Sequence, residues 1–123
     1  MSRLRGNSVF CIGDDLVHLN LRCSLLREHG CNVLSSGSGH EGVIRFGQET
    51  VDAVVLDLDG DGSEAALIAG ELKRQRPEIP VIMLVADAKD LVPGSTDQAD
   101  AVVAKSQETR TLVDAMKAVL EIA

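Results

Sequence analysis

Four charged residues suited to phosphoryl chemistry each stand at the end of an apolar, strand-like run. They are Asp57, the adjacent pair Asp14 and Asp15, and Lys105. If these runs are neighbouring parallel strands, the carboxylates meet at one edge of a sheet, where like charges resist ionisation unless a cation is present. Acids, a metal ion and a lysine at such an edge form a phosphoryl-transfer pocket, because a carboxylate can attack phosphorus while the cations neutralise the transferred charge.

Apolar runs alternate with helical patterns along the chain, which predicts βαβ units and a parallel sheet. The third run is continuous Ala, Val and Leu, as expected for a strand covered by helices on both faces. The sequence therefore predicts a doubly wound α/β fold, whose ligands bind beyond the carboxyl ends of the strands. The five predicted strands cover about residues 8–13, 31–34, 52–56, 81–85 and 101–104.

The first helix is predicted from Val17, Leu21 and Leu25, whose i, i+4, i+8 spacing places them on one apolar face. Gly30 is the natural residue to end this helix. The pattern Ser38-Gly39-His40-Glu41 has the form of a capping box and predicts the start of a second helix.

The later helices differ in the strength of their patterns. Residues 87–98 form the weakest helix candidate, because they contain Pro93 and Gly94 and have little periodicity. The two strong candidates have apolar stripes of Ala65, Ile68, Ala69 and Leu72, and of Leu112, Val113, Met116, Val119 and Leu120.

The composition excludes several classes of protein. A length of 123 residues suits one domain, expected over residues 1–123. The formal net charge of −7 argues against nucleic acid as a direct partner, and no apolar stretch approaches the roughly 20 residues that span a bilayer. The N-terminus lacks the apolar segment of a secretion signal, so a cytoplasmic location is expected. Cys11, Cys23 and Cys31 are interpreted as small buried hydrophobes of a reducing compartment.

Two segments of the chain resemble the receiver domain of bacterial two-component response regulators. Residues 30–39 are similar to that family's second strand and following loop, and Pro80–Ala86 to its fourth strand. The interval from Asp57 to Pro80 has the family's usual length. The resemblance covers nearly the whole chain and implies a flavodoxin-like (βα)5 domain with a five-stranded sheet of order 2-1-3-4-5.

The resemblance also implies roles for the charged residues. A histidine kinase or phosphotransfer protein would transfer phosphate to Asp57, and Lys105 would pair with the phosphoryl group. Mg²⁺ would be held by Asp14, Asp15 and Asp57 together with the backbone carbonyl of Asp59. Such a domain is a signalling module rather than an enzyme, and it acts through an effector domain, a downstream protein or a homodimer.

The assignment of the acid pair depends on the alignment register. An ungapped alignment places Gly13 at the family's first acid position and Asp14 at the second, whereas a slip of one residue restores the pair as Asp14 and Asp15. We expect Asp14 to be the closer ligand, with Asp15 nearby.

The chain departs from the family pattern at three positions. Val85 stands where the family usually has Thr or Ser, Val102 replaces the usual aromatic residue, and Ser106 replaces the usual proline after the lysine. Valine matches the shape of threonine but has no hydroxyl to bond a phosphoryl oxygen. An atypical output switch is therefore expected.

The segment Asp57–Gly62 also resembles the start of a calcium loop, D-x-D-x-D-G. Position twelve of such a loop requires a bidentate Glu and is Ile68 here, while the apolar position eight is Glu64. The sequence thus argues against an EF-hand.

Two further functions stay open at the level of sequence. A phosphorylation-independent pseudo-receiver would serve as a protein-interaction module, a reading that Val85 and Val102 favour and that Asp57 with Lys105 opposes. A small phosphohydrolase on the same fold is less well supported, because no additional general acid is evident.

Overall fold

Five parallel strands form one sheet in the computed structural model, which describes residues 4–122 apart from the side chains of Ala88 and Ile122. The strand order is β2-β1-β3-β4-β5, and all neighbouring strands are parallel. This confirms the order expected from the resemblance. The strands are β1 (Ser8–Gly13), β2 (Asn32–Ser36), β3 (Ala53–Asp57), β4 (Val81–Val85) and β5 (Ala101–Ala104).

Four α-helices connect or follow the strands within the described residues: α1 (Leu16–Glu28), α2 (Gly39–Phe46), α3 (Ser63–Gln75) and α4 (Glu108–Ile122). Short 3-10 turns occur at Ala88–Asp90 and Lys105–Gln107. The β4–β5 connection therefore has one 3-10 turn in place of an α-helix, as the weak pattern there predicted. None of the described helices has the length and apolarity needed to cross a membrane.

Two apolar layers cover the sheet, one on each face. Alternate residues of a strand point to opposite faces, so Val9 and Cys11 of β1 join the layer under α1 and α4, whereas Phe10 and Ile12 join the layer under α2 and α3. The predicted stripes of α3 and α4 are largely buried. The three cysteines are free and buried, in agreement with their interpretation as core residues.

The prediction of which face of α1 is buried is wrong. The side chains of Val17 and Leu21 are 69% and 64% exposed, and only Leu25 packs partly against the core. The buried face consists instead of Leu19, Arg22, Cys23 and Leu26. An arginine interrupts the apolar stripe on the true core face, so the sequence periodicity pointed to the solvent-facing stripe.

Helix ends follow the predicted local chemistry. The Ser38 side chain accepts a hydrogen bond from the Glu41 amide at 3.2 Å and caps α2. Gly30 has φ +92°, a left-handed conformation that glycine adopts without steric cost after a helix. Strand β2 starts at Asn32, one residue later than predicted, and continues to Ser36.

Candidate functional site

Asp57 lies at the carboxyl end of β3, and its side chain is almost completely removed from solvent, with 2% of the residue exposed. Lys105, which follows β5, extends its side chain past the end of β4 to Asp57. Lys105 Nζ lies 2.6 Å from Asp57 Oδ1 and donates a hydrogen bond to Asp59 Oδ1 at 3.2 Å. The structure thus brings Asp57 and Lys105 together, as the sequence predicted.

The contact between Lys105 and Asp57 is an ion pair, and Oδ1 of Asp57 is buried. Burial lowers the pKa of Lys105, but the contacts and charges of Asp57 and then Asp59 outweigh it, so the pKa is raised above its ordinary value. The ammonium group is therefore charged at neutral pH beside the carboxylate.

Arg22, a residue that sequence reasoning did not assign to the site, contacts the other oxygen of Asp57. Arg22 is 2% exposed, and its Nη2 donates to Asp57 Oδ2 at 2.9 Å. Two further bonds run to Glu108 in the first turn of α4, from Nε to Oε2 at 2.7 Å and from Nη2 to Oε1 at 3.0 Å. Burial lowers the pKa of Arg22, but the bonds and charge of Glu108 and the charge of Asp57 raise it overall.

Gly13 leaves space for this guanidinium. It pairs with Asp57 in the β1–β3 register, and a Cβ atom built on it would lie 3.3 Å from the Asp57 carbonyl oxygen and 3.6 Å from Nη1 of Arg22. A longer side chain at this position would meet the guanidinium. In the sequence, Gly13 at the end of β1 was the feature which indicated that a group other than an acid lies beside Asp57.

The two acids after β1 have different surroundings. Asp14 is exposed and accepts weak hydrogen bonds from the Asp59 amide at 3.3 and 3.4 Å. Asp15 caps α1 by accepting from the amides of Val17 at 3.1 Å and His18 at 3.2 Å. The His18 amide is the main cause that lowers the pKa of Asp15. Asp14 therefore lies closer to the loop after β3, and Asp15 is engaged in the helix cap.

The donor atoms in this arrangement do not fit a divalent cation. Both oxygens of Asp57 face cationic groups, and Asp15 bonds its own helix. Among the residues the structure describes, no three His, Cys, Asp or Glu side chains gather at a distance that would hold a metal ion. The magnesium ligands expected from the sequence thus stay a prediction.

A small cleft of about 40 Å³ opens beside Lys105, between the loop after β3 and the end of β4. This volume admits only a few water-sized groups. Val85 lines the cleft and is buried, so the wall here is apolar. Val102 on β5 is 47% exposed and does not line it.

The strand order and the Asp57–Lys105 pair at the carboxyl edge define a doubly wound α/β domain with a charged site beyond its strands. A sequence profile described as the response regulator receiver domain matches residues 9–117. The chain therefore belongs to the receiver domain family of two-component response regulators, whose members are typically signalling domains rather than enzymes.

Individual relatives agree with this assignment. The sensor protein GacS of Pseudomonas syringae pv. syringae is 30% identical over 89 residues, which cover 68% of this chain and 10% of GacS. This chain thus corresponds to about a tenth of that relative's length.

Solved structures share the fold. The response regulator TrrA of Thermotoga maritima, in complex with Mg²⁺ and BeF, has a TM-score of 0.84 and 24% identity, covering 93% of this chain and 99% of TrrA. TrrA in a complex with the histidine kinase ThkA matches with a TM-score of 0.81, 24% identity and coverage of 93% and 98%. These two structures therefore show TrrA bound to Mg²⁺ with BeF and to the histidine kinase ThkA.

Proposed function

We propose that this receiver domain accepts a phosphoryl group on Asp57. The observation that supports it best is the Lys105 ammonium 2.6 Å from Asp57 Oδ1 at the carboxyl edge of the sheet. In the reaction, a carboxylate oxygen of Asp57 bonds to phosphorus as the bond to the donor's leaving atom breaks, giving an aspartyl phosphate. Lys105 neutralises charge on the transferred group, which is where catalysis of phosphoryl transfer chiefly lies.

The donor is a histidine kinase or phosphotransfer protein, a partner class supported by the TrrA complex with ThkA. Helix α1, which follows Asp14 and Asp15, has three apolar side chains that are more than half exposed, those of Leu16, Val17 and Leu21. Exposed apolar groups of this kind suit a protein partner. We propose that the donor contacts this surface while its phosphoryl group approaches Asp57.

The output of the domain is proposed to be atypical. The buried side chain of Val85 offers no hydroxyl to a phosphoryl oxygen, and Val102 is a half-exposed aliphatic residue. The β4–β5 connection contains a 3-10 turn where a helix would otherwise present a surface. At these two positions, therefore, no side-chain hydroxyl is available to bond a phosphoryl oxygen.

A second candidate function is phosphorylation-independent protein interaction. The observation that favours it is the Arg22–Asp57 ion pair, in which a buried guanidinium already holds one carboxylate oxygen. A carboxylate stabilised in this way is a weaker nucleophile.

Acetyl phosphate separates the two candidates. The protein is incubated with this small donor, with and without Mg²⁺, and its intact mass is measured, with Asp57→Asn as the control. We expect a single phosphoryl adduct on the unmodified chain and none on the variant. A folded protein that gains no adduct under either condition would support the interaction module instead.

A further inference from the structure

We propose that Arg22 is a built-in cation of the acceptor site, which compensates the charge of Asp57 in place of a divalent metal ion. The inference deepens the proposed function and rests on it for one consequence, that phosphoryl transfer to Asp57 does not require a metal. The replacement of a metal ion by Arg22 can be tested without any phosphorylation, by measuring whether the protein binds Mg²⁺.

The two oxygens of Asp57 divide between two cations. Oδ2 bonds Arg22 Nη2 at 2.9 Å, and Oδ1 lies 2.6 Å from Lys105 Nζ. A divalent ion takes carboxylate oxygens as ligands, and at Asp57 it would have to share those oxygens with two cations that are already in contact and that repel it. The Arg22 side chain is 1% exposed, so a displaced guanidinium would have to leave a buried and hydrogen-bonded position.

Glu108 fixes the guanidinium in this position. It accepts from two nitrogens of Arg22, Nε and Nη2, a two-point geometry that arginine supports and lysine does not. The two carboxylates of Asp57 and Glu108 carry two negative charges, and Arg22 and Lys105 carry two positive charges. Asp59, the second partner of Lys105, is exposed, so the less exposed carboxylates of Asp57 and Glu108 are each paired with a cation, the condition under which buried charges are tolerated.

Gly13 completes the arrangement. An acid there would add a third carboxylate at the edge of β1, and its side chain would enter the space next to Nη1 of Arg22. Gly13 therefore adds no negative group next to Asp57, while Arg22 places a fixed positive group there.

Magnesium titration tests the proposal directly. Isothermal titration calorimetry and amide NMR shifts are suitable readouts, because the chain has no Trp or Tyr for fluorescence quenching. The test variant is the double substitution Gly13→Asp with Arg22→Leu, which restores an acid and removes the cation. The matched control is Arg27→Leu, an exposed arginine on the same helix.

We expect the unmodified protein and Arg27→Leu to show no saturable binding up to about 10 mM Mg²⁺. The double variant should bind Mg²⁺ with a Kd of about 1 mM or lower, at least tenfold below that limit. Saturable binding to the unmodified protein with shifts at Asp57 would overturn the proposal. So would a folded double variant that gains no affinity. If the double variant does not fold, the titration of the unmodified protein decides alone.

A second arm measures phosphoryl transfer from acetyl phosphate in EDTA and in Mg²⁺. We expect the unmodified protein to form the adduct at rates within about twofold in both, and the double variant to require Mg²⁺. An adduct on the unmodified protein only with Mg²⁺ would contradict the built-in cation. No adduct in either solution would count against Asp57 as acceptor, while the titration would still decide the role of Arg22.

Discussion

The two sides of Asp57 are built from opposite kinds of group. Toward α1 and α4, Arg22 and Glu108 surround the carboxylate with buried, bonded charges. Toward β4 and β5, Lys105 is the charged neighbour, Val85 and Val102 are aliphatic, and the β4–β5 connection contains a 3-10 turn instead of an α-helix. The charged side is rigidly specified by hydrogen-bond geometry, whereas the aliphatic side is specified only by packing.

This difference indicates which side of the site responds more strongly when a group is added to Asp57. A group added to the carboxylate alters the charge balance with Arg22 and Glu108 directly, because buried charges in low dielectric interact strongly. On the other side the same group meets Lys105 and the methyl groups of Val85, which offer no hydroxyl. The charged side is thus the sensitive one, and the following substitutions test the contrast.

The largest effect is expected from Glu108→Ala. This change leaves Arg22 buried with Asp57 as its remaining partner, and breaking a buried pair costs about 3–5 kcal/mol. Urea unfolding followed by circular dichroism measures the loss of free energy of unfolding. The matched control is Asp114→Ala, an exposed acid on the same helix, for which we expect a change within about 0.5 kcal/mol. Equal losses in the two variants would show that the charged side is no more sensitive than the surface.

An intermediate effect is expected from Val85→Thr on the aliphatic side. The substitution keeps the shape but buries a hydroxyl against an apolar wall, at a cost of about 1–2 kcal/mol. The same substitution at the half-exposed Val102 is the control and should change the free energy of unfolding by less than about 0.5 kcal/mol. If Val85→Thr were neutral, a partner for the hydroxyl would exist there, and the contrast between the two sides would weaken.

The smallest effect is expected at Asp15→Ala, which removes the cap of α1 and lowers the free energy of unfolding near neutral pH by less than either change above. The pKa of Asp15 is lowered in the folded state, so its contribution is present above the unfolded pKa and is lost as pH falls through the folded value. The difference in free energy of unfolding between the unmodified protein and the variant should therefore shrink in acid. Asp15→Asn, which can still cap the helix, should keep most of the stability and show no such pH dependence.

Much of this architecture could be predicted from the sequence because its strands are long apolar runs with clear ends. Asp57 and Lys105 were found for the same reason, since residues that follow parallel strands meet at one edge. Arg22 could not be found in this way. A charged residue within a helix is by default assigned to solvent, and Val17 and Leu21 offered a more regular apolar stripe that the structure leaves exposed. Only contacts between distant parts of the chain, with Asp57 and Glu108, reverse that assignment.

The bond between Arg22 and Glu108 joins residues 86 positions apart, and this separation has a consequence for synthesis. When the chain has left the ribosome as far as β3, Asp57 has been made and can pair with the guanidinium. Glu108, at the start of α4, has not yet been made. An arginine without its full set of partners is costly to bury, so we expect α1 to stay loosely packed until α4 arrives. The domain would then gain its final packing late, as a single closing event at its carboxyl end.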